Sequence, residues 1–432
     1  MAEPLPPPSS PQLPAGAPVG ADPNGLSLDA ARAFLVGLAA PALDVESVGL
    51  HAALGRVLAH DVLSDADVPA HDNSAMDGYA LRHADLDPAA PTTLREVGVA
   101  LAGQPFEAAV PPRGCVRITT GALLPTGLDT VAPVELVSVH AAAVQVPPAA
   151  LGRGDNRRRA GEDIARGDVA LGRGRVLRPA DLGLLASLGR GAAPVWRRLR
   201  VAFFSTGNEL RSIGQPLPPG CVYDSNRYTL WGMLDRLGVE PIDLGVVADD
   251  PAALEAALRQ AAHAADAVIT TGGVSGSEAD HVRQVMGRLG EVWAWRLAIR
   301  PGRPMALGRI VRDQRSTWVF GLPGNPVAVM VTFYALVRDA LLGLSGAAPA
   351  PLPTLRAQAA QRLRKKAGRT EFLRAILAPT PQGHWQVRTT GAQGSGILRS
   401  MSQANALVVL EHARGDVECG EWVDVWPFDA LV

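Results

Sequence analysis

Cysteine is nearly absent. Three occur in 432 residues, Cys115, Cys221 and Cys419, far apart and without CxxC spacing. That excludes a disulfide framework and a cysteine-rich metal site, and it suits a reducing cytoplasm. Lysine is scarcer still: Lys365 and Lys366 stand against 39 arginines, a chain-wide bias that accompanies abundant Ala, Gly and Pro. Charge of one sign is lacking too. The net value is −1, which excludes sequence-independent nucleic-acid binding through global charge, so any anion must be met locally. No stretch approaches 18 uninterrupted apolar residues, and "MAEPLPPPSS" has no basic segment ahead of an apolar one. Neither a membrane span nor a signal peptide is expected.

Familiar catalytic signatures are missing as well. No GxxxxGKS/T occurs, and no GxGxxG follows a strand with a downstream acid, which argues against classical NTPase and dinucleotide sites. The nine histidines show no HExxH or clustered-ligand spacing, and there is no GxSxG. No repeat of fixed period is visible, which argues against a solenoid or propeller. What remains is electrophilic catalysis, in which Mg2+, backbone donors and arginines surround a phosphate or other oxyanion without a protein nucleophile.

The chain that carries these absences is an ordinary globular one, 47% apolar and 19% charged, long enough for two to four domains. Residues 1–25 are rich in Pro, Ala and Gly and read as a disordered tail. "SLDAARAFLVGLAA" reads as a helix capped by Ser27, and "LRPADLGLLASLGRG" as another, with Pro179 near its start and Gly189 at its end. Residues 26–62 and 155–198 form a helical and mixed linking domain around an inserted β-rich domain, 63–154, whose short apolar segments alternate with Pro, Gly and Asp. From 199 to 348 strands and helices alternate: "RVAFFSTG", "EPIDLGVV", "DAVITTGG", "VWAWRLAIRPG" and "TWVFGLPG" read as strands. "NRYTLWGMLDRLG", "DDPAALEAALRQAAHAA", "EADHVRQVMGRLG" and "NPVAVMVTFYALVRDALLG" read as helices. The fold class is α/β multidomain, with a doubly wound, mainly parallel sheet. Residues 349–432 return to short strands, a small β-barrel or sandwich, taken here as a barrel.

In such a sheet ligands bind beyond the carboxyl ends of the strands. The segments there supply carboxylates (Glu209, Asp249, Asp250, Asp280) and hydroxyls (Ser205, Thr206, Thr270, Thr271, Ser275). They also supply cations (Arg300, Arg303) and the turn "GLPGNP" with Pro323 and Asn325. Gly272, Gly273 and Gly276 can turn backbone N–H groups toward a phosphate, and neighbouring carboxylates suit Mg2+. Each segment also has a plainer reading. "TTGGVSG" serves equally as a strand-to-helix turn, "DDP" as a helix cap, and Arg296 as a cation stacked on Trp293 or Trp295. Convergence on one sheet edge favours the site.

Seven motifs occur in an order that resembles one family: "DNSAMDGYA", "RITTGA", "GDNRRRAGEDI", "FSTGNEL", "TTGGVSGSEAD", "LAIRPGRP" and "GLPGNPVA". The chain is similar to the MoeA-type molybdopterin molybdenumtransferases, related to the E domain of gephyrin, from about residue 26 to 432. The resemblance implies Mg2+-dependent insertion of molybdenum from molybdate into adenylyl-molybdopterin, with release of AMP. It also implies a homodimer with the active site at the subunit interface, with the adenylyltransferase and the acceptor molybdoenzymes that receive the cofactor as further partners, without nucleic acid or membrane. Carried over by motif, Asp77, Asp163, Glu209, Asp249 and Asp280 are catalytic, the last three holding the metal. Thr120, Thr206, Gly272, Gly273, Ser275, Arg296, Arg300, Arg303, Pro323, Asn325, Arg374 and Ser395 bind substrate. The family pattern carries lysines at Arg296, Arg300 and Arg303, and often Asp at Asn208. Two readings compete: drift within an arginine-rich chain, and a paralogue with altered anion preference or reduced activity. Alternative functions are a molybdopterin adenylyltransferase-like activity, disfavoured by the inserted and C-terminal units, and a non-catalytic scaffold or cofactor-storage role.

Overall fold

Strand β1, Arg200–Thr206, has six consecutive buried residues after its exposed first one, as a strand covered on both faces requires. In the computed structural model, which describes residues 25–38, 40–41, 43–274, 281–312 and 315–431, it lies inside a six-stranded sheet. The expected tail, residues 1–24, is outside the described residues. Its partners are β2 (Glu240–Val247), β3 (Ala267–Thr271), β4 (Gly290–Arg296), β5 (Pro304–Arg312) and β6 (Arg315–Leu322), in the order 2-1-3-6-5-4. β2, β1, β3 and β6 are parallel neighbours, whereas β5 runs antiparallel to both β6 and β4.

Period-two alternation assigns each face its own core. Val201, Phe203, Ile269 and Phe320 pack with the helices Leu28–Val36, α1 (Asn226–Arg236) and α4 (Pro326–Leu344). Ala202, Phe204, Val268 and Val319 pack with α2 (Pro251–Ala264) and α3 (His281–Leu289) on the other face. Each fully buried Phe of these rows contributes roughly 1.5–3 kcal/mol relative to exposure. Helix α4 is long and apolar enough to cross a membrane by length and composition, but 72% of that stretch is buried inside the protein, where it serves as a core helix.

Two strand expectations change. "VWAWRLAIRPG" is not one strand: β4 ends at Arg296, and Ile299–Arg300 instead pairs parallel with Thr370–Glu371 of the C-terminal unit. "PMALGRIVR" is a full strand, β5, that alternation alone does not reveal. Because β5 is antiparallel to both neighbours, β4 points the same way as β6, so Arg296 and the start of β5 still reach the carboxyl edge.

Ser27 accepts from the Ala30 N–H at 3.2 Å, capping Leu28–Val36. Helix Pro179–Ser187 starts at Pro179, and Gly189 follows it with φ +73°. The second six-stranded sheet runs from Gly78–Leu81 to Ala143–Val146 and is joined to the linking unit through Asn73–Ser74, paired with Arg157–Arg158. At the C-terminus, Leu355–Ala359, Thr370–Pro379, Trp385–Thr389, Ala406–Leu410 and Trp422–Pro427 close into a five-stranded barrel. The barrel docks on the α/β domain through Thr370 N–H to Ala298 C=O (2.9 Å) and Val327 N–H to Ser395 C=O (3.1 Å).

Candidate active site

That docking encloses a cavity of about 510 Å3 between the carboxyl edge of the sheet and the barrel. Three loops of the α/β domain line it. Gly273 and Val274 follow β3; Pro323, Gly324 and Asn325 join β6 to α4; and Arg300 to Pro304 form the loop into β5. Gln393, Gly394 and Ser395 of the barrel close the far side. A second cavity of about 350 Å3 shares Arg300, Pro301 and Gln393 and extends along Arg362, Arg364, Glu371 and Arg374.

The arginines crowd one another. Arg303 has its pKa pushed down by burial first, then by Arg296 and Arg369. Arg300 is well exposed and lies 3.8 Å from the buried Glu371 carboxylate of the barrel. Arg296, at the end of β4, has an exposed side chain, and its carbonyl accepts from Leu26 N–H at 2.7 Å. Stacking on Trp293 or Trp295 is not seen: the described cation–π pairs involve Arg32, Arg173, Arg227 and Arg309.

Arg374 borders the second cavity, yet its guanidinium is committed to the barrel itself. Its side chain is fully buried, with Nε donating to Ser400 Oγ (2.9 Å) and Nη2 to the carbonyls of Ala392 (3.3 Å) and Gly394 (2.9 Å). Burial, then Arg300, pushes its pKa down to about 10. It shapes the loop that carries Gln393 to Ser395.

Gly272 has φ +90° and approaches β1 so closely that a Cβ would lie 2.3 Å from the Thr206 carbonyl oxygen. Its N–H donates to Leu322 C=O at 3.1 Å, so Gly272 supplies close packing and no free donor. This corrects the expectation of a phosphate nest beginning there. Gly273, at φ +64°, lines the cavity. Ser275, Gly276 and Asp280 lie outside the described residues.

The two acids of "DDP" separate cleanly. Asp250 caps α2, accepting from Ala252 (3.0 Å) and Ala253 N–H (3.3 Å). Asp249 is half-buried, and its Oδ1 is buried with no hydrogen-bond partner, as are the hydroxyls of Thr206 and Thr270. Glu209 is exposed and folds back so that its carboxylate covers Gly207, where a Cβ would meet Oε2 at 2.6 Å. It follows β1 and Asp249 follows β2, adjacent strands in register at Thr206 and Val247. One carboxylate thus follows each of two adjacent strands, and oxygen donors of this kind suit a hard divalent cation that keeps water or phosphate as its remaining ligands. Among the described residues no three His, Cys, Asp or Glu side chains converge as a ready-made metal cage.

Asp77, Thr120 and Asp163 stand on the inserted domain and its return loop, all exposed, and none lines either cavity. Asp77 accepts from Thr120 through the backbone N–H (2.6 Å) and the hydroxyl (2.9 Å), which hold its carboxyl below the usual range. Sequence reasoning missed Gln393 and Gly394 at the cavity, and behind it the buried pair Asp224 and Asn226. "YDSN" ahead of a helix reads as an ordinary cap, so only burial distinguishes it.

Residues 26–189 match the family model described as MoeA N-terminal region (domain I and II), 202–343 the probable molybdopterin binding domain, and 356–428 the MoeA C-terminal region (domain IV). A molybdopterin molybdenumtransferase of Haemophilus influenzae is 40% identical over 408 residues, covering 94% of this chain and all of that protein. One from a Nostoc species is 35% identical, covering 85% of each chain. Among solved structures, the molybdopterin biosynthesis MoeA protein from Pyrococcus horikoshii has a TM-score of 0.78 at 28% identity, covering 93% of this chain and all of that one.

Proposed function

Because this chain belongs to the MoeA-type molybdopterin molybdenumtransferases, enzymes of molybdenum cofactor biosynthesis, we propose that its cavity takes molybdate and the phosphate end of adenylyl-molybdopterin, inserts molybdenum and releases AMP. The observation that carries this reading is the arginine loop, Arg300 to Pro304, facing the Pro323–Asn325 turn across the 510 Å3 cavity. Molybdate is a tetrahedral dianion, and guanidinium groups in a partly desolvated wall bind such oxyanions by charge-assisted hydrogen bonds. Gly273 and Gly324 leave room for a ligand to approach backbone. Gln393 and Ser395 bring polar groups from the barrel.

Glu209 and Asp249 would hold Mg2+, together with Asp280. When bound, the ion would neutralise charge developing on the pyrophosphate as it is cleaved. The chain's own groups bind the anion, orient the pterin phosphate and exclude water. The test incubates purified protein with adenylyl-molybdopterin, Mg2+ and molybdate. AMP release that depends on molybdate is expected, and its absence would overturn the reading.

We also infer that the enzyme works in the cytoplasm as a homodimer. Asp77, Thr120 and Asp163 lie away from the cavity of their own chain, and a second copy would bring them to it. Mixing two inactive variants, Asp77→Asn and Asp249→Asn, should restore activity through mixed dimers that keep one intact site. No recovery after co-refolding would refute a shared site.

A further inference from the structure

Behind the cavity, side chains from three separate segments form one chain of hydrogen bonds that ends on a main-chain carbonyl. Asp224, Asn226, Ser205 and Thr271 are each at most 5% exposed. Asp224 Oδ1 accepts from the Ser205 hydroxyl (3.1 Å) and from the N–H groups of Asn226 (3.1 Å) and Arg227 (3.4 Å). A carboxylate accepts and does not donate. Ser205 therefore commits its proton to Asp224 and accepts from the Thr271 hydroxyl at 3.0 Å. Thr271 in turn accepts from the Asn226 side-chain amide at 3.4 Å, and that same amide nitrogen donates to the Gly324 carbonyl at 2.8 Å. One charge thus sets every direction in the sequence Asn226 → Thr271 → Ser205 → Asp224.

The same ordering leaves Asn226 Oδ1 buried without a partner. Rotating the amide would present that oxygen to the Gly324 carbonyl, so the observed orientation is the one that keeps Gly324 held. None of the four residues lines the cavity, but Gly324 and Asn325 do.

We propose that Asp224 and Asn226 are positioning residues: through Ser205 and Thr271 they fix the Gly324–Asn325 corner against which the anion sits. The chain joins the ends of β1 and β3, the start of α1 and the turn into α4. It couples three ligand-facing loops to one buried carboxylate. The proposal rests on the reading of the cavity as the molybdate site, and its test separates the two.

Thr271→Val keeps the shape and removes the central link, whereas Thr271→Ser keeps the hydroxyl. Two readouts are taken on the full chain. The first is amide hydrogen exchange of the 323–327 segment without ligand. The second is the molybdate concentration giving half-maximal AMP release. Thr271→Val should raise both by about fivefold or more while kcat stays within about twofold, as expected for lost positioning of a bound substrate. Thr271→Ser should restore both to within about twofold of the parent. Should Thr271→Val fold poorly, Ser205→Ala cuts the next link and should give the same pattern. Unchanged exchange in Thr271→Val, or a Thr271→Ser variant as impaired as Thr271→Val, overturns the proposal. If the parent releases no AMP, the exchange result still decides the positioning role, and only the substrate assignment falls.

Discussion

Gly272→Ala probes the closest backbone approach at the sheet edge. At φ +90° its added Cβ would lie 2.3 Å from the Thr206 carbonyl oxygen, on the neighbouring strand. Two costs combine. A side chain at such a φ costs on the order of 1–2 kcal/mol. Moving backbone apart by roughly 1 Å resembles overpacking, at about 1–3 kcal/mol. The sum, about 2–5 kcal/mol, should lower the melting midpoint of the α/β unit by roughly 4–20 °C, at ~2–4 °C per kcal/mol for a unit of this size. Gly396→Ala is the control. It sits in the barrel loop near the cavity with open space around its Cβ position and no positive φ, so it should be neutral or stabilising by about 0.4–1 kcal/mol. Differential scanning calorimetry of both variants decides the matter. A Gly272→Ala midpoint within about 2 °C of the parent would refute the claim that this glycine is fixed by close approach.

Asp250→Ala should cost about 1 kcal/mol of stability through loss of the α2 cap and spare AMP release. Asp249→Asn should do the reverse, and equal effects in both assays would contradict the separation of cap from site. For Asp77, the two Thr120 bonds favour the charged form, so its folded value lies below the ordinary 3.8. Their stabilisation is therefore present above the unfolded value and lost as pH falls through the folded one. Thr120→Ala should raise the Asp77 value only part of the way, because the backbone bond is the larger cause and persists; carbon-detected NMR titration reads this directly. Replacing Arg296 and Arg300 by lysine should preserve molybdate-dependent AMP release if only the charge is used, whereas collapse would show a pocket built around planar guanidinium groups.

The alternating segments of residues 199–348 were legible because period-two runs and capped helices are local signals. Ser27 and Asp250 cap the helices that their positions predict. What stayed hidden was direction and depth. An apolar run such as "PMALGRIVR" carries no mark of strand orientation, so β5 and the reversal it creates had to come from pairing. Arg374 shows the same limit. Its sequence context announces a cation, yet its guanidinium is spent on carbonyls of the 392–394 loop and on Ser400. Asp224 and Asn226 look like any helix entry until their burial is known. Gly272 was legible as a special backbone position, but which group its N–H would meet was not.

The seven residues from Leu297 to Arg303 are pinned at their ends by Leu297 N–H to Arg303 C=O at 2.7 Å. The loop so closed brings Arg296, Arg300 and Arg303 onto one edge, where burial and then Arg296 lower the Arg303 pKa from its ordinary value. Like charges gathered on one edge repel one another, and the dianion proposed as ligand would offset that repulsion. Ligand and fold become linked quantities: an anion held only by the folded chain adds about 2.7 kcal/mol at a hundredfold excess over its dissociation constant. The melting temperature measured against molybdate concentration would then read occupancy of the proposed site.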